Sequence, residues 1–277
     1  MTQVLTITKY ISKNKTENIQ TTTLVFIHGW GLNSAVWEST VQYFQQYLDV
    51  ITVDLPGHGL NINNTLNNYT LASVVNEIQQ AIKVPAIYIG WSLGGLVATQ
   101  LALSFPEKVT GCVTVASSPC FLNKTNEEPP WQGILPKVLT MFYVQLAQDT
   151  KKTIDGFLKI QAMGSPQVRQ HIKTIRDLVM QHPLPTKQTL ADSLTLLETV
   201  DLRENLPEIS CPMLRLYGKL DSLVPKAVIE KIDHLAPCSQ KHIFDKASHA
   251  PFISDVDEFN NIVHSWLIGQ KKNKAND

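Results

Sequence analysis

Three side chains in this sequence could together move a proton off a hydroxyl: Ser92, Asp221 and His249. Ser92 lies in Gly90-Trp-Ser92-Leu-Gly94, a G-x-S-x-G pentapeptide. The strand-like run Ala86–Ile89 leads into it, and a helical run opens at Gly95. That context gives the pentapeptide its meaning: a sharp strand-to-helix turn, flanked by glycines so that backbones can crowd together, presents the hydroxyl at the edge of a sheet. A serine hydroxyl is a weak nucleophile at neutral pH and needs a neighbouring base.

In a sheet of this kind the order along the chain is serine, then acid, then histidine. The search for partners is thereby confined to residues after Ser92. His171 and His182 fall in a helical stretch, His234 and His264 in helix patterns, and His242 begins a strand. His249 alone occupies a loop after the last strand, in Ala247-Ser-His-Ala-Pro251, where a base would overhang the sheet. Asp221 follows the strand Met213–Tyr217, and a carboxylate there would fix the imidazole tautomer and stabilise its cation. Its rivals are Asp245, only four residues before His249, and Asp54, which precedes Ser92 and reads as a loop brace. Charge developing on a substrate oxygen needs fixed donors. The backbone N–H of Leu93 is one candidate, and the N–H of Trp30, in His28-Gly-Trp-Gly31 after the strand Leu24–Ile27, is the other. His28 and His58 sit beside glycines in tight loops and read as hydrogen-bonded structural histidines.

The elements that must position these residues follow from the apolar pattern. Short β-rich runs at Leu24–Ile27, Val50–Val53, Ala86–Ile89, Cys112–Val115, Met213–Tyr217 and His242–Phe244 alternate with helical patterns at Leu71–Ile82, Leu96–Ser104, Pro225–Leu235 and Val256–Ile268. Such alternation predicts a mainly parallel sheet flanked by helices, its strands buried on both faces; with the G-x-S-x-G turn between strand and helix, the expectation is an α/β-hydrolase fold. Between Pro119 and Glu198 the alternation stops and helical periodicity takes over. We read residues 1–118 and 199–277 as the core and 119–198 as a helical lid over the carboxyl edge of the sheet, where ligands bind in open α/β sheets.

With 277 residues, 43% of them hydrophobic, the chain suits one such domain carrying an insert. Lys+Arg and Asp+Glu balance at 24 each, which argues against a nucleic-acid or membrane partner and leaves any steering to local patches. Val84–Phe105 is long and uncharged but is interrupted by proline and glycines, so a buried strand–turn–helix explains it better than a membrane span. The four cysteines match no zinc spacing, and Cys112 and Cys211, in or beside strand-like runs, read as buried thiols. No metal is expected. The amino terminus has no signal-peptide pattern, so a cytoplasmic protein is expected, and the sequons at Asn14, Asn63, Asn68 and Asn123 carry no glycan. Lys271–Asp277 reads as a frayed tail.

Several segments together resemble a known family more closely than a shared fold requires: His28–Asn33, Val53–Gly57, Gly90–Ala98, Val113-Thr-Val-Ala-Ser-Ser-Pro-Cys120, Thr199–Arg203, Leu214–Gly218 and Ala250–Ser254. They are similar to the BioH family of pimeloyl-acyl carrier protein methyl ester esterases, from about Leu24 to the last helix. The resemblance implies a serine carboxylesterase that removes the methyl group from a carrier-bound pimeloyl chain in biotin synthesis. It implies Ser92, Asp221 and His249 as the triad, and substrate contacts at Trp30, Ser92, Leu93 and His249. It also implies that Phe157, Leu158, Lys159, Ile160 and Gln161, followed by Met163-Gly164, line the acyl channel. No cofactor is implied.

Charge in the lid points to a carrier protein independently. From Thr150 to Arg176 there are six basic residues and one acid, Asp155, an excess that would steer an acidic acyl carrier protein onto Lys152, Arg169 and Lys173. Arg169, Lys173 and Arg176 are spaced to share one helix face, while Gly156 leaves a gap in the basic row. A monomer is expected. Two other readings stay open at this point: a broad short-chain carboxylesterase, and a hydrolase-fold receptor that binds a ligand without turning it over.

Overall fold

A computed structural model describes residues 4–14, 22–163 and 167–274. Seven strands form one sheet in the order β1-β3-β2-β4-β5-β6-β7. They are β1 (Ile7–Tyr10), β2 (Thr23–Ile27), β3 (Asp49–Val53), β4 (Ala86–Trp91), β5 (Val109–Val115), β6 (Met213–Gly218) and β7 (Gln240–Phe244). All neighbours run parallel except β1, which pairs antiparallel with β3 in the register Ile7↔Val53 to Tyr10↔Val50. The six expected strands are present. The seventh, β1, is an edge strand of only four residues, two of them polar and all at most half-buried, so its apolar signal is weak.

The centre of the sheet is dry. All six residues of β4 are buried, and so is most of the helix that follows it, α3 (Leu93–Ser104). That helix is apolar around its circumference because it packs on the sheet with one face and under neighbouring helices with the other. It starts at Leu93, two residues before the expected Gly95, so Ser92 connects directly to a helix amino terminus. The long uncharged stretch Val84–Phe105 is thus strand, turn and helix. Among the described residues no helix is long and apolar enough to cross a membrane. On the flanks lie α1 (Glu38–Phe44), which the sequence pattern did not suggest, and α2 (Leu71–Ala81), which turns Leu71, Val74, Val75 and Ile78 inward.

After β5 the chain leaves the sheet. It first makes an irregular excursion pinned by isolated bridges, Leu122↔Ile134 and Lys124↔Trp131. Four helices follow: α4 (Pro136–Gln148), α5 (Thr150–Ala162), α6 (Val168–Val179) and α7 (Lys187–Thr199). The insert is therefore helical only from Pro136. The carboxyl-terminal part of the chain adds α8 (Lys226–Leu235), α9 (Pro251–Ser254) and α10 (Val256–Lys274). Of the expected tail, residues 275–277 lie outside the described residues, as do Lys15 and Thr16 of the first sequon.

Among the described residues, hydrogen bonds from core side chains and main chain to main-chain carbonyls of α5 to α7 help seat the helical insert. Trp30 Nε1 donates to Leu190 at 3.0 Å, Asn33 Nδ2 to Val179 at 2.9 Å, Ser248 Oγ to Met163 at 2.8 Å, and His249 N to Gln161 at 3.1 Å. Gln161 and Met163 end α5 and Val179 ends α6, where the last carbonyls of a helix have no intrahelical donor. The core satisfies them. At the neck of the insert Asp201 accepts from Lys124 and Arg203, both at 2.6 Å, and Arg203 also reaches Glu127 and lies 5.0 Å over the Trp131 ring.

Burial alone would raise the pKa of the Asp201 carboxyl, but hydrogen bonds from Arg203 and Lys124 outweigh it and hold the group well below the ordinary carboxylate range. A depressed carboxyl stabilises the fold above its unfolded value, near about 4, and loses that contribution as pH falls through the folded value. Asp201→Asn should therefore cost about 1–2 kcal/mol at pH 7, allowing for partial solvent screening. Thermal unfolding should show Tm lowered by about 2–5 °C at pH 7 and a gap to the wild type that shrinks below about pH 4. A gap that stayed constant with pH would rule out this account of the neck.

Candidate active site

The tight turn between β4 and α3 holds Ser92 at φ 55° and ψ −117°, a backbone conformation that non-glycine residues rarely adopt. It persists because its surroundings over-determine it. The Ser92 N–H donates to the Val115 carbonyl at 2.9 Å, and the Ser92 carbonyl accepts from Ser117 Oγ at 2.8 Å and from Gly95 N at 2.9 Å. A Cβ on Gly90 would overlap the Gly94 carbonyl, so the turn closes only where glycine stands at that position.

Asp221 and His249 come together from separate loops. Asp221, three residues beyond β6, accepts from Leu223 N at 2.8 Å and Val224 N at 3.2 Å through Oδ1, which leaves Oδ2 for His249 Nδ1 at 2.8 Å. Both side chains are fully shielded from solvent. A Cβ on Gly218, the last residue of β6, would overlap the Ser248 carbonyl, so glycine is what lets the two loops meet. A carboxylate can only accept, so Nδ1 carries the imidazole proton and Nε2 presents its lone pair. Nε2 is buried with no hydrogen-bond partner, and a Ser92 Oγ–His249 Nε2 bond is absent among the described residues.

Elsewhere the rivals find other work. Asp245 pairs with Lys219 at 2.8 Å on the surface, away from His249. Asp54 accepts from Ser34 N at 2.6 Å and Leu60 N at 2.8 Å, the loop brace expected of it. His28 donates through Nδ1 to the Gly29 carbonyl at 2.8 Å and accepts from Leu55 N at 3.0 Å through Nε2. Burial lowers its pKa, against the opposing pull of Asp54. His58, bonded to the Pro56 carbonyl, is lowered to about 3 by burial and by His28. Both are neutral at pH 7 and structural.

Trp30 follows β2 on a loop whose Gly31 has φ +71°. Its side chain is buried beneath the lid, edge-on to Phe157 of α5 at 4.9 Å and 6.2 Å from Phe142 of α4. With the indole so anchored, the Trp30 and Leu93 backbone N–H groups donate to no other described residue. Leu93 N–H, in the first turn of α3, lacks an intrahelical acceptor and benefits from the positive end of the helix dipole. On α5, Phe157, Leu158 and Gln161 are buried, Ile160 is half-buried, and Lys159 is exposed on the outer face. The Gln161 amide makes no hydrogen bond through either atom, although its main-chain carbonyl holds His249 N. Met163 is exposed and Gly164 lies outside the described residues.

The basic patch is smaller than a count from 150 to 176 suggests. Asp149 caps α5 and lies 3.9 Å from Lys152, and Asp177 pairs with Lys173 at 2.8 Å. Arg176 turns to Asp155 of α5 at 2.7 Å, holding α5 to α6 rather than extending the exposed ridge. Lys152, Arg169 and Lys173 nevertheless remain exposed.

Comparison with known proteins places this geometry in a lineage. Residues 22–256 match the family model for the alpha/beta hydrolase fold. A pimeloyl-acyl-carrier protein methyl ester esterase of Vibrio cholerae is 47% identical over 240 residues, covering 85% of this chain and 90% of that protein. One from Aliivibrio fischeri is 44% identical over 244 residues, covering 88% and 93%. Among solved structures, an esterase from Exiguobacterium antarcticum superposes with a TM-score of 0.79 at 21% identity, covering 94% of each chain, a likeness of fold alone. Family model and relatives agree: the chain belongs to the pimeloyl-acyl-carrier protein methyl ester esterase family of α/β-hydrolases.

Proposed function

We propose that this protein hydrolyses the methyl ester of a pimeloyl chain carried on acyl carrier protein, releasing methanol and the free carboxylate in biotin synthesis. The observation that carries the chemistry is the buried Asp221–His249 pair with its lone-pair Nε2 unpartnered, held on a loop beside the strained turn of Ser92. Sequence identity of 47% to an esterase of that name supports the substrate.

In this reading His249 Nε2 takes the Ser92 proton as Oγ attacks the ester carbonyl. The oxyanion of the tetrahedral intermediate accepts from the Trp30 and Leu93 N–H groups, each worth roughly 10²–10³ in turnover. Collapse breaks the bond to methoxide, which leaves as methanol with the proton from His249. Water then attacks the acyl-serine, giving its proton to His249, and the carboxylate departs as Ser92 is reprotonated. Asp221 keeps Nδ1 protonated and steadies the imidazolium throughout. The carrier thioester at the far end of the chain is untouched. Residues 119–198 act as one lid over the core formed by 1–118 and 199–277. Phe157, Leu158 and Ile160 offer apolar surface to the acyl chain, and the unpartnered Gln161 amide offers it one polar contact. Lys152, Arg169 and Lys173 draw the acidic carrier to a monomeric, cytoplasmic enzyme.

Ser92→Ala should lower kcat by on the order of 10⁴–10⁶, measured as methanol released from the carrier-linked ester, while leaving the fold intact. Retained turnover would remove Ser92 as nucleophile, and turnover absent from the wild type as well would favour a ligand receptor. Reversal of Lys152, Arg169 and Lys173 to glutamate should reduce kcat/KM for the carrier-linked ester by about 10- to 100-fold at low salt, with a smaller effect as salt rises. Hydrolysis of a small soluble ester should stay unchanged in that variant. Equal losses on both substrates would count against carrier docking at this face.

A further inference from the structure

Trp91 ends β4 immediately before Ser92 and is fully buried. A buried indole needs an acceptor for its N–H, and the one it has here is informative. Trp91 Nε1 donates to the main-chain carbonyl of His249 at 2.7 Å, across 158 positions of sequence. The ring has little freedom to turn away. It packs edge-on to Phe252 at 5.0 Å, and Phe252 in turn stacks on Trp37 at 4.1 Å. The indole also lies 5.9 Å from the His249 imidazole.

The other restraints on His249 come from elsewhere. Its N–H is tied to the lid through Gln161, and its Nδ1 to the loop after β6 through Asp221. Neither refers to β4, the strand that delivers Ser92. Nε2 makes no hydrogen bond of its own, so its aim is set by how the rest of the residue is suspended. Among the described residues the Trp91 bond is a direct hydrogen bond between the segment bearing the hydroxyl and the segment bearing the base.

We infer that Trp91 is a positioning residue, whose indole N–H fixes the distance between His249 Nε2 and Ser92 Oγ by holding the His249 carbonyl. The inference rests on the proton relay described under the proposed function. A ring that merely filled the core would serve equally well without its N–H; a positioning ring would not.

Two variants separate these roles. Trp91→Phe deletes the donor and part of the ring. Trp91→benzothienylalanine keeps the ring outline and replaces N–H with sulfur, so the donor goes without a cavity. On 4-nitrophenyl acetate both should lose about 10- to 100-fold in kcat, the scale of a small misplacement of reacting groups, with KM changed by less than about twofold. Labelling of Ser92 by a fluorophosphonate should slow in the same proportion. Phe44→Leu, a packing control at a buried ring of α1 that touches neither Trp91 nor His249, should lower Tm yet keep kcat within about threefold of the wild type. Wild-type kcat in the benzothienylalanine variant would overturn the inference, as would a loss in Phe44→Leu equal to that in Trp91→Phe at matched Tm. Ser92→Ala distinguishes the two levels of failure: an inert Ser92→Ala with fully active Trp91 variants sinks only the positioning role, whereas an active Ser92→Ala sinks the relay itself.

Discussion

Crowding at the turn between β4 and α3 is the constraint on which the rest of the site depends. A strand that must reverse into a helix within one residue brings main chain against main chain, and side chains are tolerated only where they point out of the crush. Gly90 lies against the Gly94 carbonyl, Gly94 against the Ile27 and His28 carbonyls, and Gly95 against Ser117. What is left is one residue, Ser92, forced to a positive φ and held there by hydrogen bonds to β5 and its following loop. The dry, apolar packing around α3 keeps that strain from relaxing, because any retreat of the helix would open a cavity in a close-packed interior. The second crowded point, Gly218 against the Ser248 carbonyl, does the same for the acid and base loops. Two close approaches, some 128 residues apart in sequence, thus hold Ser92 and the Asp221–His249 pair where they stand.

The insert belongs to the site more than the word lid suggests. Trp30, whose backbone N–H we propose as an oxyanion donor, buries its indole between α4, α5 and α7. His249 is hung from α5 by its own N–H. Swinging the helices away would disturb Trp30 and His249 together. The architecture therefore suits a substrate that threads in beneath a seated roof.

Much of this was legible in the sequence, for identifiable reasons. Strands buried on both faces read as continuous apolar runs, which is why β2 to β6 are evident, whereas β1 gives a short, mixed signal at an edge. Ser92, Asp221 and His249 stand out as candidates because each lies just past a recognisable element and in a fixed order. The start of α3 at Leu93 was obscured by two glycines, poor helix formers placed there by crowding rather than by propensity. Net charge in the lid was overestimated because Asp149 and Asp177 fall just outside the window counted, yet pair with residues inside it. The bond from Trp91 to His249 and the seam beneath the lid are tertiary contacts, with no spacing along the chain to reveal them.

One property of that seam reaches beyond this molecule. Leu190, Val179, Met163 and Gln161 are hydrogen-bonded to the core through their backbone oxygens. A peptide oxygen is the same whatever residue bears it, so the insert can exchange nearly every outward side chain and still dock. Evolution, or an engineer, is then free to redecorate the roof for a different cargo while the machinery underneath stays in register.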